Sequence, residues 1–181
     1  MAIAPDHKDW TWVVDRPCPE CGFDTSSFPR EQVGTMVREN ASAWVQQLEQ
    51  RSERGDVAVR PAAGTPAERW SPLEYACHVR DVFRLYETRL HLMLDEDDPL
   101  FQDWDQNVTA REDRYGEQDP ATVAVELQEA ADRLADSFDG VGVDAVWQRP
   151  GRRSDGASFT VESFARYFIH DPVHHLTFDV D

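Results

Sequence analysis

Six histidines are spread through the 181-residue chain, and three fall together in His170-Asp171-Pro172-Val173-His174-His175. On an α-helix, residues four apart stand one above the other on one face, so the His170 and His174 imidazoles can reach a single ion. Two imidazoles at that spacing form the helical half of many zinc sites. A third ligand has to come from elsewhere in the fold. His78 is the best candidate, because it shares a helix face with Val82 and Leu85 and should point inward. A lone histidine on such a face is more often a hydrogen-bonded core residue, so the assignment rests on the three together. His175 is turned about 100° from His174 on the same helix and reads as a residue behind the ligands.

A second group of reactive side chains lies near the N-terminus, in Cys18-Pro19-Glu20-Cys21-Gly22. This spacing is one half of a zinc knuckle. A structural zinc needs four ligands, and a second such pair is absent from the sequence. Cys77, His7 or a dimer partner would have to complete the site. A redox pair is an alternative, as are two reduced thiols in a turn closed by Gly22. Cys77 reads as a small buried residue on a helix.

The elements that must carry these residues are helical. The first helix is predicted over about Arg30–Arg54, with Val33, Val37, Trp44, Val45 and Leu48 as its apolar stripe and Gly55 as its stop. The second opens on Ser71 as N-cap, with Pro72 at the first position and Glu74 completing a capping box, and runs to about Leu94. The third opens on Asp119 and Pro120 and runs to about Phe138, and the fourth runs from Thr160 toward Phe178. Pro172 should bend or interrupt the last helix. In that helix Val161, Phe164, Ala165, Phe168 and Leu176 project away from His170 and His174. If the histidines face the bundle, that stripe needs cover from the N-terminal tail, the long loops or a second subunit.

No convincing strand appears, so the fold class is all-α, a four-helix bundle with long inter-helix loops. The expected division is an irregular segment over residues 1–30 and the bundle over residues 31–181. Long loops are often functional, which makes Trp104, Asn107, Arg111, Trp147, Arg149 and Arg152 candidates for a pocket rim.

With 35 acidic and 18 basic residues the formal net charge is −17. Such a surface is a poor partner for nucleic acid or anionic membranes, which are gripped by Lys and Arg. The sequence shows neither a signal-peptide pattern nor an apolar run of spanning length, so a cytoplasmic protein is expected.

His78-Val79-Arg80-Asp81, the run from His170 to Leu176, and the Trp147–Thr160 approach to the last helix together resemble the DinB-like metal-binding four-helix bundles. The resemblance covers about residues 31–180. That family includes thiol-dependent transferases and the metal-binding domain of mycothiol-dependent maleylpyruvate isomerase. The resemblance implies that His78, His170 and His174 ligate one divalent ion, zinc or nickel. Asp81, Asp171 and His175 are then candidates to orient the ligands from behind. It further implies a metal-dependent transferase acting on a small molecule, with a low-molecular-weight thiol of the mycothiol kind as cosubstrate. A metal-dependent hydrolase with Asp103 or Asp105 as base is the alternative, and a non-catalytic metal or small-ligand binding module, in monomeric or homodimeric form, is a third reading. Family enzymes do not depend on a CxxC segment, so Cys18 and Cys21 stand outside the family pattern.

Overall fold

Local signals set the helix starts. A computed structural model, which describes residues 10–60 and 69–180, places four long helices near their predicted positions: α1 (Val33–Arg54), α2 (Pro72–Asp95), α4 (Pro120–Asp139) and α6 (Val161–His174). Short helices α3 (Gln106–Glu112) and α5 (Asp144–Trp147) lie in the connections. At the head of α2, Ser71 Oγ accepts from the Glu74 amide and Glu74 Oε2 accepts from the Ser71 amide at 2.9 Å, a complete capping box. Asp119 Oδ2 accepts from the Thr122 amide at 2.8 Å and starts α4. Thr160 starts α6 through a reciprocal pair of bonds with Ser163. Each such cap is worth about 1 kcal/mol.

Helices α1 and α2 both pack along α4, and α6 lies against α1 and α2. The core between them holds Trp44, Phe83, Leu127, Leu134, Phe164 and Phe168, all buried. The Phe168 ring sits 4.8 Å from Tyr86 and 6.0 Å from both Phe83 and Phe138, so the apolar stripe of α6 faces the bundle centre. Burying each such side chain contributes about 1.5–3 kcal/mol.

The long connections contain three short strands that the residue pattern does not reveal: β1 (Leu100–Phe101), β2 (Pro150–Arg153) and β3 (Ser158–Thr160). β1 runs parallel to β2 with Leu100 opposite Arg152, and β2 runs antiparallel to β3 with Pro150 opposite Thr160. Strands of two to four residues are too short to display a period of two. The hairpin crosses over α2 closely enough that a Cβ on Gly151 would meet the Phe101 ring at 2.7 Å and Met93 at 2.8 Å. Arg149 donates to the Met93 and Glu96 carbonyls, both at 2.6 Å, and satisfies the C-terminal end of α2. Trp147 is buried in the core and Arg152 pairs with Asp98 at 2.8 Å, so these three residues hold the frame. Among the described residues no helix is long and apolar enough to cross a membrane.

Candidate metal centres

The rotation of α6 decides which of its polar residues face the bundle. Phe164 and Phe168 are buried in the core. Asp171 and His175 follow Phe168 at three and seven positions, so they continue that stripe toward α2. His170 and His174 are turned away by about 100°. They face the N-terminal segment, whose 3-10 turn Thr11–Val14 packs on α6. The helix is not interrupted at Pro172, which lies within it. The Pro172 carbonyl accepts from Asn40 Nδ2 at 3.1 Å and Trp44 Nε1 at 3.2 Å, so α1 anchors this turn. A single π-helical turn, His175–Asp179, follows. Such turns are frequent at functional sites.

The predicted trio is divided by this arrangement. Among the described residues His78 groups with Asp171 and His175, whereas His170 and His174 group with Cys18 and Cys21. Asp171 and His175, expected behind the ligands, are themselves four apart on one face and stand with His78. Asp171 and His175 share the register of Phe164 and Phe168, a pattern carried by the sequence, and carboxylates are among the side chains able to ligate a metal.

In the first cluster His78 Nε2 lies 3.4 Å from Asp171 Oδ2, and His175 Nε2 lies 3.5 Å from Asp171 Oδ1. Both His78 ring nitrogens and Asp171 Oδ2 are buried, and none makes a hydrogen bond with a described residue. Unpaired polar atoms in such a place are costly and rare. The His78 ring is stacked on Trp104 at 5.6 Å and 9° and flanked by Trp70 at 5.3 Å. His175 Nδ1 meets Asp179 Oδ2 at 2.7 Å, and its ring rests 4.8 Å from Tyr75. Burial works against charge on Asp171, but His175 and His78 outweigh it and hold the carboxyl well below its usual value. Burial likewise opposes charge on His175, and the carboxylates of Asp171 and Asp179 overcome it and lift the imidazole to about 10. The cluster therefore concentrates negative charge that a proton on His175 balances. The His78 side chain is 1% exposed and that of Asp171 38%, so the cluster opens to solvent on the Asp171 side.

In the second cluster Cys18 Sγ lies 3.8 Å from His174 Nδ1 and Cys21 Sγ lies 3.7 Å from His170 Nε2. One ligand atom from each residue falls within 4.8 Å of the others. Burial pulls the His170 imidazole down to about 4, with His174 adding to the effect, and burial pushes the Cys21 thiol up to about 11. His174 is lowered by burial and by His175. Trp10 covers the pair, with its ring 5.3 Å from each imidazole.

The remaining predicted residues go elsewhere. The Asp81 carboxylate accepts from Arg80 at 2.9 Å, from Arg84 at 3.2 Å and from Tyr115 Oη at 2.6 Å, so it belongs to a largely buried ion-pair network between α2 and Tyr115. Cys77 is fully buried, with Sγ 3.5 Å from Gln118 Oε1. Asp105 caps α3 through the Asn107 and Val108 amides, and Asp103 accepts from Ser154. His7 lies outside the described residues.

Residues 28–178 match the DinB superfamily. A search of curated protein sequences finds no match. Among solved structures the fold is similar to YfiT from Bacillus subtilis, a probable metal-dependent hydrolase with an unusual four-helix bundle topology. The TM-score is 0.68 at 18% identity, over 82% of this chain and 83% of that one. It is also similar to the mycothiol-dependent maleylpyruvate isomerase, with a TM-score of 0.64 at 14% identity over 86% of this chain. This chain spans 63% of that enzyme's length. At these identities the likeness establishes a shared fold, and function has to be argued from the site.

Proposed function

The chain belongs to the DinB superfamily, and from that premise we propose that His78, Asp171 and His175 hold one divalent metal ion serving transfer of a small thiol to a small electrophile. The observation that carries the reading is that His78 Nε2 and Asp171 Oδ2, buried, 3.4 Å apart and without a hydrogen bond to a described residue, meet beside His175. Two imidazoles and a carboxylate suit zinc or nickel. A divalent ion there supplies Lewis acidity, which lowers the pKa of a thiol or water that reaches it.

The protein's own groups prepare the site. Asp179 is held ionised and accepts a hydrogen bond from His175 Nδ1–H, so that a metal displacing the Nε2 proton would find that nitrogen on the Asp171 side. Trp104 and Trp70 pin the His78 ring and keep water from the deep side. Three protein ligands leave coordination positions for a reactant, and the exposed side of Asp171 is the way in. Asp103 and Asp105, the candidate bases of the hydrolase alternative, are engaged with Ser154 and with the start of α3.

Elemental analysis of tag-free protein tests the ligand set. His78→Ala and Asp171→Asn should each lose one metal equivalent while the helical circular dichroism persists; an unchanged metal content in both variants contradicts the assignment. Calorimetry with mycothiol, cysteine and glutathione then tests the thiol. Stoichiometric binding to the metal-loaded protein, and none after chelation, is expected. Hydrolysis of ester or amide substrates without thiol binding would transfer the site to the hydrolase reading.

A further inference from the structure

We propose a second metal site, in which Cys18, Cys21, His170 and His174 form a closed zinc centre that clamps the N-terminal segment onto α6. It draws on residues separate from the site above and does not depend on that reading.

Two thiols and two imidazoles are a ligand set that zinc takes in structural centres. Tetrahedral bonds of about 2.3 Å to sulfur and about 2.0–2.1 Å to nitrogen would set a sulfur and a nitrogen about 3.6 Å apart. The observed separations of 3.8 Å for Cys18–His174 and 3.7 Å for Cys21–His170 are close to that edge. Cys18, His170 and His174 are buried and Cys21 is half-buried. Two thiolates would neutralise the ion's charge, which suits a site out of water.

The backbone around the cysteines is folded for the purpose. The Gly22 amide donates to the Cys18 carbonyl at 2.8 Å and the Cys18 amide donates to the Phe23 carbonyl at 2.9 Å. Gly22 takes φ +74°, a left-handed conformation that glycine adopts without strain. On the far side, His174 Nε2 lies 3.6 Å from Glu20 and 3.7 Å from Asp179, carboxylates placed to fix its tautomer once Nδ1 is a ligand. A Cys18–Cys21 disulfide would instead leave two buried imidazoles without those sulfur partners. Four protein ligands fill a tetrahedral ion and leave no position for a substrate, so the centre is structural. Zinc binding displaces the two thiol protons to solvent.

X-ray absorption at the zinc edge of the wild-type protein should show a sulfur shell at about 2.3 Å. Cobalt-substituted protein should show sulfur-to-cobalt charge transfer that falls by about half or more in Cys18→Ser and in Cys21→Ser and disappears when both are replaced. The same band should remain in His78→Ala and Asp171→Asn, which separates this site from the other. Zinc with only nitrogen and oxygen neighbours in the wild type would overturn the proposal. So would a charge-transfer band that is undiminished in either single variant or that survives replacement of both cysteines together, or a Cys18–Cys21 disulfide in protein isolated with its metal.

Discussion

His174 and His175 are adjacent in the chain, yet their rings stand 5.9 Å apart at 76° and face different ligand clusters. Between them sits Asp179, whose Oδ2 is 2.7 Å from His175 Nδ1 and 3.7 Å from His174 Nε2. Residues 170–175 thus carry two i,i+4 pairs in consecutive registers, and one carboxylate touches a member of each.

Asp179 should therefore support metal binding without being a ligand. Asp179→Asn is expected to weaken affinity at the His78 site about 10–100-fold, read by competition with a chelating dye. Helical circular dichroism should be unchanged. Wild-type affinity in this variant would show that His175 is oriented by other contacts.

Removing metal should loosen the N-terminal segment before it loosens the bundle. Chelation is expected to speed hydrogen exchange of the amides of residues 18–23 by about tenfold or more, while the amides of α4 keep their protection. Equal exchange with and without chelator would mean that packing of Trp10 and Val13 holds the segment unaided.

The helix starts were legible because each is local. Ser71 with Pro72, Asp119 with Pro120, and Thr160 all cap helices as expected. The strands were not, since Leu100 finds its partner at Arg152, across two connections and a helix. The two histidine registers had a trace in the sequence. Val161, Phe164, Ala165 and Phe168 point away from His170 and His174, and such a stripe seeks the core, so the outward cover falls on the histidines. The pairing of His170 and His174 with Cys18 and Cys21 depends on how the N-terminal segment docks, which spacing alone does not specify.

The hairpin crossing leaves no room for a side chain at residue 151. Gly151→Ala should cost about 1–3 kcal/mol through overpacking against Phe101 and Met93. Gly142→Ala, whose added methyl meets nothing within 4 Å, should stay within about 0.5 kcal/mol. Thermal melts of the metal-loaded proteins make the comparison, and equal midpoints would place β2 farther from α2 than described.

Acid should act on the start of α2. Burial raises the Glu74 carboxyl, but Arg60, whose Nε donates at 2.8 Å, and the Ser71 amide outweigh it and hold it below its usual value. A carboxyl lowered in the folded state contributes stability above its unfolded value, about 4.3 for glutamate, and loses it as pH falls through the folded value. Glu74→Gln keeps an acceptor for the Ser71 amide but takes up no proton. Its melting midpoint should lie below wild type at neutral pH and approach it in acid. Parallel pH profiles for the two proteins would remove Glu74 from the acid response.

Zinc-edge anomalous diffraction from crystals of the zinc-loaded protein tests the division of the histidines most directly. Two separate peaks are predicted, one among His78, Asp171 and His175 and the other among Cys18, Cys21, His170 and His174. A single peak bounded by His78, His170 and His174 would contradict it.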